Sequence, residues 1–126
     1  MRLVSDAPLV LGIDPGTHLC GYGLVYRRGT RFEHVFHGVA KAPEHAPLAE
    51  RLRVIADEVE SVIRAHGPAV CAIEQAFVHR DARAALMIGH ARGALMLIAA
   101  RANLTVFEYP PATVKRAVVG SGRAGK

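Results

Sequence analysis

Apolar and polar positions in this chain alternate with two different periods, and the changeover points divide it into elements. The run Leu9-Val10-Leu11-Gly12-Ile13-Asp14 is apolar up to a carboxylate and stops at the Pro15-Gly16-Thr17-His18 turn, which predicts a strand over about 9–14. Cys20-Gly21-Tyr22-Gly23-Leu24-Val25-Tyr26 predicts a second strand, joined through Arg27-Arg28-Gly29-Thr30 to a third over about 32–40. In that third strand, period two places Phe32, His34, Phe36 and Gly38 on one face. After the proline-broken loop from Pro43 to Pro47, the period changes. Leu48, Leu52, Ile55, Val59, Val62 and Ile63 recur at helical spacing, with Glu50, Arg53, Asp57 and Glu60 outward, predicting a helix over 48–66 that Gly67-Pro68 stops. A fourth strand is expected at 69–74, a second long helix at about 80–102, a fifth strand at 104–109 and a short helix at 111–119.

Short turns make the first three strands a meander, with strand two antiparallel to strands one and three. A right-handed crossover through the first helix lets strand four lie beside strand one. The expected architecture is an α/β fold with a mixed five-stranded sheet, order 3-2-1-4-5, in one domain spanning residues 1–126. Strand one is then the switch point of the sheet, where ligands bind at the carboxyl ends of strands. Asp14 ends strand one, and Glu74 ends strand four after Ala69-Val70-Cys71-Ala72-Ile73.

An acid at the end of an apolar strand is costly to desolvate without a partner. Neighbouring strands lie about 4.8 Å apart, so two such acids can share a cation. Their hard oxygen donors favour Mg²⁺, with Mn²⁺ as a substitute, over zinc. Such a site serves phosphodiester hydrolysis, in which metal ions activate water and stabilise the leaving oxygen. The competing role for Asp14 is structural, capping its own turn through Gly16 and Thr17.

Composition narrows the choice of partner. The 126 residues are 51% hydrophobic but only 6% aromatic, so the core is aliphatic and buries roughly two-thirds of the unfolded surface. Sixteen Lys and Arg against 11 Asp and Glu give a net charge of +5 and favour a polyanion. Lys115, Arg116, Arg123 and Lys126 follow Tyr109 with no acid among them, and Arg80, Arg83 and Arg92 add charge near the second helix; phosphate contact is the expected role of these groups. Cys20 and Cys71 lie inside strands without metal-ligand spacing and are expected to be buried thiols. No basic-then-apolar leader opens the sequence, and the apolar run Ala84 to Ala100 is short for a membrane span. A soluble cytoplasmic protein is expected. The second helix is apolar nearly all round, which calls for a second cover beyond the sheet; a two-fold partner would supply it, with Met96 as a contact position.

Several segments together resemble RuvC-type Holliday-junction resolvases. They are Gly12-Ile13-Asp14-Pro15-Gly16-Thr17 with Gly21-Tyr22-Gly23, Ala72-Ile73-Glu74-Gln75-Ala76-Phe77, Gly89-His90-Ala91-Arg92-Gly93, and Val106-Phe107-Glu108-Tyr109-Pro110-Pro111 with Val114-Lys115-Arg116-Ala117-Val118-Val119-Gly120. The resemblance runs from Val10 to the last residue. It implies a ribonuclease-H-like fold, a homodimer, and Mg²⁺-dependent nicking of four-way DNA junctions in recombination and repair, in concert with a branch-migration motor. It also implies that Asp14 and Glu74 are catalytic metal ligands, that Phe77 engages bases near the junction centre, and that Lys115 and Lys126 face DNA. The family's further acidic ligands fall on a helix beyond the position of Lys126, and Asp57 and Asp81 do not match them. The expectation is therefore a truncated nuclease domain that binds junctions without cutting them. Asp14-Pro15-Gly16-Thr17 also resembles the first phosphate loop of sugar kinases and actin-like ATPases, which makes an ATP-binding domain the alternative, alongside a non-catalytic junction-binding module.

Overall fold

The computed structural model describes residues 7–75 and 81–109. They form five strands and two helices: β1 Leu9–Asp14, β2 Leu19–Arg28, β3 Arg31–Lys41, α1 Leu48–His66, β4 Val70–Glu74, α2 Ala82–Arg101 and β5 Thr105–Tyr109. The sheet order is β3-β2-β1-β4-β5. β2 is antiparallel to β1 and β3, whereas β4 is parallel to β1 and to β5, as the meander and the crossover predict. The expected short helix at 111–119 lies outside the described residues.

Alternation along the strands sends Leu11 and Ile13, Cys20, Tyr22 and Leu24, Ala40, and Cys71 and Ile73 to one face. There they meet Ile55, Val59, Val62 and Ile63 of α1 and Leu95 and Ala99 of α2 in one aliphatic core. Both described helices therefore cover the same face. Asp14 and Glu74, one residue past Ile13 and Ile73, belong to the other.

β2 and β3 run longer than the sequence suggests, because their ladder continues to Arg28↔Arg31 beside Gly29, whose φ of 65° suits the tight turn. The register shifts between Leu24 and Val25, so that Phe36 opposes Leu24 while His34 opposes Val25. This bulge corrects the period-two assignment for β3. His34 leaves the face of Phe36 and joins His37, their rings hydrogen-bonding nitrogen to nitrogen at 2.8 Å.

α1 matches its expected span and ends in a left-handed Gly67 (φ 61°) whose N–H donates to Ile63 O at 2.8 Å. α2 begins at Asp81, whose carboxylate accepts from the N–H groups of Arg83 and Ala84. Only Ala91, Leu95 and Ala99 of α2 are buried, while Leu86 is 63% and Leu97 51% exposed. Met96 packs on the core, so it is not a position on the uncovered face. With 20 residues and a mean hydropathy of 1.2, α2 has the length and composition of a membrane span, although in this fold it packs on the sheet.

Candidate metal and nucleic-acid site

Asp14 reaches its place through the tight Pro15–His18 turn, and Gly16 makes that turn passable. A Cβ at Gly16 would lie 2.1 Å from the Leu19 carbonyl oxygen, inside any tolerable contact. Across the ladder, Asp14 opposes Gly21, where a side chain would reach the Asp14 Cβ at 3.7 Å. Gly16 thus permits the turn that follows Asp14, while Gly21 faces Asp14 across the ladder at ordinary contact distance. Asp14 is exposed, and its side chain makes no hydrogen bond to its own turn among the described residues, which removes the capping alternative.

Glu74 ends β4 one residue past the Ile13↔Ile73 pair, so the two acids stand at adjacent carboxyl ends of parallel strands and on one face. Glu74 is only 9% exposed. Tyr109 pairs with Glu74 from β5, and its ring lies 6.4 Å from that of Phe107. The result is a largely buried carboxylate on the strand paired with Tyr109, and a solvent-facing carboxylate at the end of the neighbouring strand.

Two arginines, Arg51, which sequence patterning did not single out, and Arg92, hold these strand ends from the helix layer. Arg51 of α1 donates through Nε to Thr17 O at 3.1 Å and through Nη1 to Ala46 O at 2.8 Å, fastening the turn after Asp14 to the loop before α1. Arg92 of α2 donates through Nε to Glu74 O at 2.9 Å and through Nη2 to Glu108 Oε1 at 2.7 Å. Arg92 was expected to contact phosphate; it is instead engaged by protein acceptors. A signal for it existed in β5: Glu108 shares a strand face with Leu104 and Val106, and an acid on a core-facing stripe needs a cation.

The remaining acids weighed from the sequence have other work. Asp81 caps α2, and Asp57 pairs with Arg53 across one turn of α1. Cys20 and Cys71 are free and buried. Burial pushes both thiols up to about 12, and for Cys20 the charge of Asp14 adds to the effect. Phe77, Lys115 and Lys126 lie outside the described residues.

Among the described residues no group of three or more His, Cys, Asp and Glu is placed to hold a metal ion. A pair of carboxylates still fits a hard cation such as Mg²⁺, which keeps much of its water and binds through one or two carboxylates plus substrate phosphate.

The family described as "Crossover junction endodeoxyribonuclease RuvC" matches residues 10–126. The chain belongs to the RuvC family. It is similar to the RuvC crossover junction endodeoxyribonuclease of Heliobacterium modesticaldum, with 46% identity over 118 residues, covering 94% of this chain and 73% of that protein. To its counterpart in Sorangium cellulosum the identity is 50% over 117 residues, covering 93% of this chain and 65% of the relative. Among solved structures, Thermus thermophilus RuvC in complex with a Holliday junction substrate superposes with a TM-score of 0.76 at 31% identity, covering 93% of this chain and 73% of that one. The mixed sheet with strand two antiparallel is the ribonuclease-H-like arrangement expected of a RuvC chain, and it sets Asp14 and Glu74 on adjacent strands.

Proposed function

We propose that this RuvC chain is a divalent-metal-dependent endonuclease that resolves four-way DNA junctions by phosphodiester hydrolysis. The observation that carries the proposal is the placement of Asp14 and Glu74 at adjacent ends of β1 and β4, on one face, within a family match that covers both. Asp14 and Glu74 would hold the cation, Mg²⁺ with Mn²⁺ as substitute. Bound there, the cation would activate a water and stabilise charge on the scissile phosphate. The sheet keeps the strand ends that carry the two side chains from drifting apart. Phe77 engages unpaired bases near the junction centre by stacking or wedging, and Lys115 and Lys126 neutralise phosphates. The protein works in the cytoplasm, with a branch-migration motor as a further partner.

Two carboxylates leave most of a cation's coordination to water, phosphate and other acids. The family match over residues 10–126 favours this function over the ATP-binding alternative.

A homodimer matches a two-fold-symmetric substrate, and α2 favours it: Leu86 and Leu97 are exposed on a helix whose Gly89 and Gly93 have open space where a side chain would stand. The decisive experiment is a junction-nicking gel with Mg²⁺ beside a binding assay. Asp14→Asn and Glu74→Gln should each abolish nicking and spare binding. Undiminished nicking by either variant would remove that acid from the site.

A further inference from the structure

We propose that Arg92 is a positioning residue for Glu74, a tether from the helix layer that sets the direction of the Glu74 carboxylate. The proposal rests on the metal-ligand role of Asp14 and Glu74. The β1–β4 ladder ends at Ile13↔Ile73, so Glu74 lies beyond the last pair with β1. On the other side, β5 still pairs at Glu74↔Tyr109, and Gln75 N–H donates to Tyr109 O at 2.8 Å. Arg92 completes the anchorage from a third element. Its Nε takes the Glu74 carbonyl, and its Nη2 takes the Glu108 carboxylate on the strand next door.

The guanidinium suits this role in two ways. Its donors form a rigid fork, so satisfying Glu108 fixes the plane in which Nε meets Glu74 O; a lysine ammonium has no such plane. The Arg92 side chain is also only 16% exposed, against 45% for Glu108, so water competes weakly for the fork. Rotation of the Glu74 peptide would swing its side chain relative to Asp14. Fixing that peptide therefore fixes the Cα–Cβ direction from which the Glu74 side chain starts toward Asp14, and narrows the positions its carboxylate can take. In this role Arg92 acts through Glu74.

Outer partners of metal ligands typically alter metal affinity or activity by about 10- to 100-fold. The test measures Mn²⁺ binding by electron paramagnetic resonance, Mg²⁺-dependent nicking, junction affinity and thermal melting for the protein and its variants. Arg92→Lys keeps the charge and loses the fork. Glu108→Gln keeps Arg92 and weakens the hold on its plane, which leaves a well-folded variant available should Arg92→Lys fold poorly. Both should weaken Mn²⁺ binding by about 10-fold and raise the Mg²⁺ concentration needed for half-maximal nicking by a similar factor. Junction affinity should stay at the parent value. Parental Mn²⁺ affinity in both variants, with Glu74→Gln abolishing binding, overturns the tether alone. Parental Mn²⁺ affinity in Asp14→Asn and Glu74→Gln overturns the metal site itself.

Discussion

A side chain that is missing does as much for this site as one that is present. Gly16→Ala would drive a methyl into the Leu19 carbonyl, and the only relief is a shifted turn that carries Asp14 with it. The expected cost is about 2–3 kcal/mol in urea unfolding, together with loss of nicking. Gly38 plays a similar part on β3, because a Cβ there would lie 2.6 Å from the Tyr22 hydroxyl oxygen. That hydroxyl donates to Glu58 Oε2 at 2.7 Å, so Tyr22→Phe should cost about 1.5 kcal/mol. Burial raises Cys20, Cys71 and Tyr22 alike to about 12 from ordinary values of 9.0, 9.0 and 10.0, with the hydrogen bond to Glu58 reinforcing the shift at Tyr22. The native state thus holds these protons more tightly than the unfolded chain does. Stability from these groups is complete below about pH 9 and is lost as pH rises toward 12. Urea midpoints between pH 8 and 11 should fall over that interval, and Cys71→Ala should flatten the fall. The two acids were legible because each interrupts an apolar run. The carbonyl bonds of Arg51 and Arg92 were not, since a bond from a helix to a carbonyl 34 or 18 residues away leaves no period in the sequence; only the pairing of Arg92 with Glu108 had a signal, in the acid on the core-facing stripe of β5.

Elements were legible where burial imposes a period. α1 shows its buried stripe and its stop signal, and its ends coincide with the expected ones; Gly67→Ala should cost about 1 kcal/mol by forcing a Cβ into a left-handed conformation. β3 shows the limit of the same logic. One extra residue at the bulge reverses the faces beyond it, and nothing in the run Phe32–Gly38 announces the shift. α2 is the opposite case, because an apolar surface all round fixes that a helix exists without fixing which side meets the sheet. Packing selected Ala91, Leu95 and Ala99, small residues alternating with one large one, and left Leu86 and Leu97 outside. Asp81→Ala should destabilise α2 by about 1 kcal/mol through loss of its cap, read as an earlier thermal transition. Leu97→Glu should leave the fold intact while shifting the protein to monomer in sedimentation. A parent protein that is already monomeric at micromolar concentration would sink the dimer. Met96→Glu is the contrasting control, since Met96 packs on the core and the substitution should unfold the protein.

At the scale of the whole molecule, topology was the most legible property and binding is the least visible one. Tight turns between β1, β2 and β3 leave only a meander, and one right-handed crossover then places β4 beside β1. The two described helices go to one face of the sheet and the two acids to the other. The acids oppose DNA binding, since a polyanion is repelled by Asp14 and Glu74 unless basic groups outweigh them. The net charge of +5 supplies the excess, and the acid-free segment after Tyr109 concentrates part of it. Binding should therefore tighten as salt is lowered, with four-way junctions preferred to linear duplex. Each neutralised phosphate adds about 0.9 to the slope of log affinity against log salt. Lys115→Ala should make that slope shallower by roughly one unit without changing the preference for junctions, because a phosphate contact carries no shape or sequence information by itself. Phe77→Ala should do the reverse, leaving the slope alone and eroding the preference, because stacking or wedging at the junction centre releases no counterions. A gel-shift series in Ca²⁺ from low to high salt reads both effects at once; an unchanged slope in Lys115→Ala would take that lysine out of the interface.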